Sequence, residues 1–171
     1  MRILTLWQPW ASLIALNLKR YETRSWGTDY RGELAIHAAK RLIVRDELRA
    51  IAYAIGGGGC SLAEFARFEQ AVEQDLPLGA IVAIADLIAC LEMWDSQVYG
   101  PLMPPHRRGI DISTVSQLEK VVGDWQEGRF AWRQRNVRVL QPIPFKGAQG
   151  LRVLADEAVL QAIAAQTEVG R

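Results

Sequence analysis

The side chains best suited to chemistry crowd into the first quarter of the chain. Trp7-Gln8-Pro9-Trp10 sets two indoles around an amide and a proline, and Lys19, Glu22, Arg24 and Trp26 follow closely. In an extended strand Glu22, Arg24 and Trp26 share one face, because side chains alternate with period two. A carboxylate beside a guanidinium beside an indole can hydrogen-bond a polar ring and stack on it, and Lys19 can hold a phosphate or a carbonyl. The same residues would equally make an exposed salt bridge next to a core tryptophan. Composition leaves both readings open.

A second cluster lies far along the chain, at Pro142-Ile143-Pro144-Phe145-Lys146-Gly147-Ala148-Gln149-Gly150. Glycines flanking a lysine and a glutamine let backbone N–H groups approach a ligand closely. An ordinary turn with a solvated lysine fits the same residues. Arg129, Arg133, Arg135 and Arg138 stand nearby with Trp132 and Asn136. Arg133 and Arg135 share a strand face that Trp132 and Asn136 do not oppose cleanly, so the group reads as charge density. Other constellations are missing. His37 and His106 are not spaced as helical metal ligands, and Cys60 and Cys90 lack metal-ligand spacing, so neither metal nor cofactor is expected. Gly56–Gly59 has no following Lys-Ser or Lys-Thr, which excludes a P-loop, and no Gly-x-Ser-x-Gly turn occurs.

These residues need elements to hold them. Arg2–Leu6 reads as a strand, and proline at a helix start introduces a helix burying Ala11, Leu13, Ile14 and Leu16. Tyr21–Trp26 and Gly32–Ala38 read as strands, and Leu42–Ile55 as a helix striped by Val44, Leu48, Ile51 and Ile55. Ser61 with Glu64 forms a capping box for a helix burying Phe65, Phe68 and Val72. Ala80–Leu91 is a central strand, and the proline-rich Tyr99–Gly109 is a loop. Thr114 with Gln117 caps a helix carrying Val115, Leu118, Val122 and Trp125. Phe130–Leu140 and Leu151–Leu154 are strands around an irregular turn, and Asp156 caps a last helix with Val159, Leu160 and Ile163. Strands scattered among helices without regular alternation point to α+β, or to a barrel decorated with helices.

At 171 residues the chain suits one domain with its own core. Half the residues are apolar and 23% are charged, which disfavours disorder. The longest apolar stretches fall short of a membrane span, and no signal-peptide run stands at the start. A reduced, cytoplasmic protein is expected. The net charge of +1 hides a pattern. Residues 1–60 hold nine basic and five acidic side chains, residues 61–127 four and eleven, and residues 128–171 seven and three. Basic ends that met in space would make a face suited to phosphates, and a mixed solvated surface explains the same counts.

Together the motifs resemble the ASCH domain (activating signal cointegrator homology), a branch of the PUA-like β-barrels. The resemblance rests on Leu4-Thr5-Leu6-Trp7-Gln8-Pro9-Trp10-Ala11-Ser12-Leu13, on Asn17-Leu18-Lys19-Arg20-Tyr21-Glu22-Thr23-Arg24-Ser25-Trp26, and on Arg31-Gly32-Glu33-Leu34-Ala35-Ile36-His37-Ala38-Ala39-Lys40. Gly79–Leu87, Phe130–Asn136 and Pro144-Phe145-Lys146-Gly147 extend it. It implies an ASCH/PUA-like domain over residues 1–155, with helical insertions near 42–75 and 95–127, and a C-terminal helix and tail over 156–171. The implied fold is α+β: a small, mostly antiparallel β-barrel decorated with helices.

The family is associated with RNA and nucleic-acid binding. The resemblance therefore implies a partner that is RNA, single-stranded nucleic acid or a modified nucleoside, and a role in RNA metabolism or transcription-related regulation. The implied cleft carries Lys19, Glu22 and Arg24, with Trp10, Ser25 and Trp26 beside them. Lys40, Trp132, Lys146 and Gly147 complete the implied binding set. Some relatives are amidohydrolases of N4-acetylcytidine with a threonine nucleophile three residues after the lysine. Here Glu22 stands at that position, and Thr23 falls one residue away, on the opposite strand face. Lys19 and Glu22 would be the catalytic pair of such a hydrolase or of a ribonuclease. A protein-interaction adaptor is a third alternative. All ligand-binding readings predict Lys19, Glu22 and Arg24 in one pocket, with the Lys146 loop at its rim.

Overall fold

A computed structural model describes residues 1–41, 45–57, 61–73, 76–99 and 109–168. The chain order is β1 (Arg2–Leu6), α1 (Trp10–Ala15), β2 (Tyr21–Arg24), β3 (Gly32–Ala38), α2 (Arg45–Gly57), α3 (Leu62–Glu73) and β4 (Ala80–Trp94). There follow α4 (Ser96–Tyr99), β5 (Gly109–Asp111), a 3-10 turn (Ile112–Thr114), α5 (Gln117–Val122), β6 (Phe130–Pro144), β7 (Leu151–Val153) and α6 (Glu157–Glu168). Most of the loop expected over Tyr99–Gly109, and the tail of the C-terminal helix, lie outside the described residues.

The fold is α+β, built on one seven-stranded sheet in the order β2-β6-β4-β3-β1-β7, with β5 paired beside β4. Most pairs are antiparallel; β1 with β3 and β4 with β5 are parallel. The expected barrel is corrected on one point. Among the described residues β2 and β7 do not pair, so the sheet stays open. Among the described residues β7 covers Arg2, Ile3 and Leu4 of β1 and no more of it, and the four-residue β2 pairs with β6 alone. The end of β1 at Thr5 and Leu6 therefore faces β2 across a seam with no backbone ladder.

Alternation sends the sheet's apolar side chains into two layers. Leu4, Leu6, Leu34, Ile36 and Trp132 pack with Ala11 and Ile14 of α1 on one face. Ile3, Ala35, Ile81, Ile84 and Leu140 pack with Ile163 of α6 on the other. Ile81 and Ile84 share a face despite odd spacing because β4 and β6 slip register between them. In the same strand pair Asn136 takes φ 50°, a left-handed conformation that asparagine tolerates. A third cluster joins Leu13 and Leu18 to Phe68 of α3 and Val122 of α5. Burying Phe68 there stabilises the helical layer by about 1.5–3 kcal/mol.

Several sequence boundaries move. β2 stops at Arg24, so Trp26 lies beyond the strand rather than on its Glu22–Arg24 face. The N-cap of α5 is Ser116, not Thr114, because Ile112–Thr114 forms the 3-10 turn capped by Asp111. Trp125 then falls beyond α5.

Candidate functional site

The end of α1 aims Lys19. Asn17, at φ 57°, donates its N–H to Ile14 O at 2.9 Å, and Leu18 donates to Leu13 O at 2.9 Å. This paired 6→1 and 5→2 closure is the Schellman reversal, which needs a residue tolerant of the left-handed region after the helix. Leu18 then buries, and Lys19 turns inward with 1% of its surface exposed. Its Nζ donates to Val122 O at 2.8 Å, at the last residue of α5, where unpaired carbonyls and the helix dipole favour a cation. Glu22 Oε2 stands 3.9 Å away.

The start of the motif is structural. Gln8 Nε2 donates to Ser12 Oγ and to Pro77 O, each at 2.8 Å, while Gln8 Oε1 accepts from Ser12 N at 3.1 Å. This buried amide ties the first turn of α1 to the segment entering β4.

Glu22 is 7% exposed, and its Oε1 lies 3.0 Å from Arg24 Nε, an ion pair without hydrogen-bond alignment. Arg24 also spans the open seam, its Nη2 reaching Thr5 O at 3.4 Å. Glu119 approaches Lys19 from α5 and accepts from Arg20 N. Burial pushes the Lys19 amine below its ordinary range, against the opposing pull of Glu22 and Glu119; Arg24 adds to the lowering. Burial pushes the Glu119 carboxyl upward, opposed by the Arg20 N–H and by Lys19.

Lys19, Glu22, Thr23 and Arg24 line a cavity of about 480 Å³ with Thr5, Leu6, Trp7 and Trp10. Val121–Asp124 and Arg129 close its other side, with Arg129 Nη2 paired to Asp124 Oδ2 at 3.2 Å. Thr23 lines this cleft although alternation set it opposite Glu22; its hydroxyl accepts from Asp124 N at 2.9 Å. The cleft thus offers cations and carboxylates against an aromatic wall, a surface able to bind a polar ring.

Lys40, Lys146 and Gly147 line a separate, adjoining cavity. Thr5 and Trp7 line both cavities, so Lys146 does not stand at the rim of the Lys19 cleft itself. Ser25 and Trp26 line neither. Trp132 is fully buried, donates Nε1 to Trp26 O at 3.2 Å, and packs edge-on against the Trp26 ring. It sits directly across from Glu22 in the ladder, as core beneath the cleft. Arg133 and Arg135 are exposed on β6, and Arg138 pairs with Glu33 at 2.8 Å. Sequence reasoning left Thr5, Trp7, Asp124 and Glu119 out of the site. Trp7 had a signal, its place in the aromatic pair; Glu119 had none, being a hundred residues away in sequence. Among the described residues no group of His, Cys, Asp and Glu could hold a metal ion, and no helix is long and apolar enough to cross a membrane.

An open, mostly antiparallel sheet flanked by helices, with a charged and aromatic cleft at its seam, defines an α+β domain with a small-ligand-sized site. Residues 4–100 match the ASCH domain model, and the chain belongs to that family. It is 37% identical over 101 residues to activating signal cointegrator 1 of Mus musculus, and 38% over 91 residues to the same protein of Homo sapiens. These segments cover 57% and 52% of this chain but only 16% and 14% of the relatives' length. The crystal structure of ASCH from Zymomonas mobilis matches its fold with a TM-score of 0.50 and 14% identity, over 95% of this chain and 93% of that one.

Proposed function

We propose that this chain binds single-stranded RNA and holds one base, ordinary or modified, in the Lys19 cleft. The observation that carries the reading is Glu22: a carboxylate held at the cleft between Lys19 and Arg24, with indoles on the cleft wall. Its oxygens accept from an exocyclic amino group, as in cytosine or adenine, while Arg24 and the remaining donors of Lys19 meet the cytosine carbonyl or an adenine ring nitrogen. Trp7 and Trp10 supply flat apolar surface, and stacking adds about 1–3 kcal/mol per base. The test is fluorescence anisotropy of a labelled single-stranded RNA and its DNA counterpart at about 50 and 200 mM salt. Binding that weakens with salt, with base selectivity lost in Glu22→Gln, supports the reading. Absence of binding at low salt, or binding indifferent to salt, refutes it.

One observation favours a second reading, a hydrolase. Burial lowers the Lys19 amine below its ordinary range beside a carboxylate, which eases proton exchange within the pair, and such a pair can shuttle a proton to activate water. N4-acetylcytidine and labelled RNA are the substrates to try, beside Lys19→Ala. Turnover abolished by that change supports the enzyme; turnover that survives it belongs to a contaminant.

A further inference from the structure

We propose that the cavity holding Lys40 and Lys146 is a phosphate subsite, so that the ligand is a strand of at least two nucleotides crossing Trp7. This rests on the RNA reading of the Lys19 cleft and extends it. The two cavities differ in charge. The Lys19 cleft mixes Lys19, Arg24 and Arg129 with Glu22 and Asp124, a balance suited to a neutral, hydrogen-bonding base. The second cavity, about 830 Å³, has Lys40 and Lys146 on its wall and, among the described residues, no carboxylate. Neither lysine has an ion-pair partner among the described residues. Two unneutralised ammonium groups on one concave wall attract a polyanion.

The frame beneath these lysines is fixed, although their heads are exposed. Phe145 N donates to Gly79 O at 3.0 Å, and His37, 2% exposed, meets Phe145 O through Nε2 at 2.9 Å. Gly79, at φ +63°, lies under the Lys40 stem, where an added Cβ would stand 3.5 Å from Lys40 Cβ. Gly147 packs so closely that a Cβ there would run into the His37 ring and Thr5 Oγ1. One hydrogen-bonded framework therefore positions both lysines.

Trp7 stands between the cavities. Arg41 lies over its ring, 3.9 Å from the centroid, yet 56% of the residue is exposed. An exposed indole between a base-sized cleft and a cationic hollow suits a stacked nucleotide whose phosphate falls toward Lys40 and Lys146.

The test compares wild type, Glu22→Gln, Trp7→Ala and Lys40→Gln/Lys146→Gln against the four common nucleosides and a short mixed-sequence single-stranded RNA. Each is titrated over a range of salt, with melting temperatures checking that the variants fold. The double variant is expected to lose about tenfold in RNA affinity at low salt. Its slope of log K against log salt should be shallower by about 1.4, from about 0.7 per single-strand phosphate contact. Trp7→Ala should lose about tenfold and keep the wild-type slope. If wild type binds RNA and Glu22→Gln loses nucleoside selectivity, yet the double variant keeps the wild-type affinity and slope, the subsite is wrong and the cleft reading stands. If wild type binds no RNA at low salt, both fall.

Discussion

Replacing Lys19 by methionine should destabilise the protein most at neutral pH and progressively less on acidification. Methionine keeps the volume, so no large cavity forms. The loss is electrostatic. Lys19 faces two buried carboxylates, Glu22 and Glu119, and donates to Val122 O at 2.8 Å. Removing one member of a buried charge group costs about 3–5 kcal/mol, because the remaining charges stay buried without compensation. At about 2–4 °C per kcal/mol for a chain of this size, Tm should fall by roughly 6–20 °C near pH 7.5. The pH dependence follows from Glu119, whose carboxyl burial already raises and Lys19 pulls back down. Without Lys19 it rises further. A carboxyl with a raised folded pKa contributes stability below its unfolded value of 4.5, and that contribution is lost as pH climbs through the folded pKa. The penalty should therefore shrink as pH falls toward 4.5. Urea unfolding of wild type and Lys19→Met at several pH values between 4.5 and 7.5 measures it. A loss below about 1 kcal/mol at pH 7.5, or one that does not vary with pH, would refute the assigned role of Lys19.

Asn17→Gly should be neutral or mildly stabilising, whereas Asn17→Ala should cost about 1 kcal/mol at φ 57°, both read by chemical denaturation. Gly147→Ala should cost about 1–3 kcal/mol, because its methyl group overpacks His37 and Thr5, and a thermal melt reports it. His37 is held below its ordinary value by burial, against the hydrogen bond to Phe145 O. A base with a depressed pKa contributes stability above its unfolded value of 6.5 and loses it as pH falls toward the folded one. His37→Phe should flatten that acid-side loss in unfolding experiments run below pH 6.5.

Local patterns were legible where neighbours in sequence decide the structure. Gly32–Ala38 is β3 with the expected ends, and Asp156 Oδ1 accepts from Val159 N at 3.2 Å at the start of α6. Long-range pairing was not legible. Alternation fixes which face of β1 and β2 is buried, but not whether their edges meet, so the sequence pattern could not distinguish a closed barrel from an open sheet. β6 outruns its expected end because Ile143 and Pro144 ladder with Ile81 and Ala80 of β4, and β4 outruns its own because Glu92–Trp94 pair with β5. Tryptophan placement also depended on tertiary packing: Trp132 went to the core and Trp7 to the surface, and nothing within a few residues of either distinguishes them.

The open seam makes the domain a two-jawed clamp. Thr5 and Trp7 belong to one jaw, Glu22 and Arg24 to the other, and Arg24 to Thr5 O at 3.4 Å is a long, weak strut between them. A guest in the cleft would replace that strut with contacts to both jaws at once. Its affinity would then register as stiffness. Amide protons at the end of β1 and along β2 should exchange more slowly when it is bound, and melting should shift upward with its concentration. A closed barrel would already have spent those edges on backbone hydrogen bonds; this sheet leaves them open.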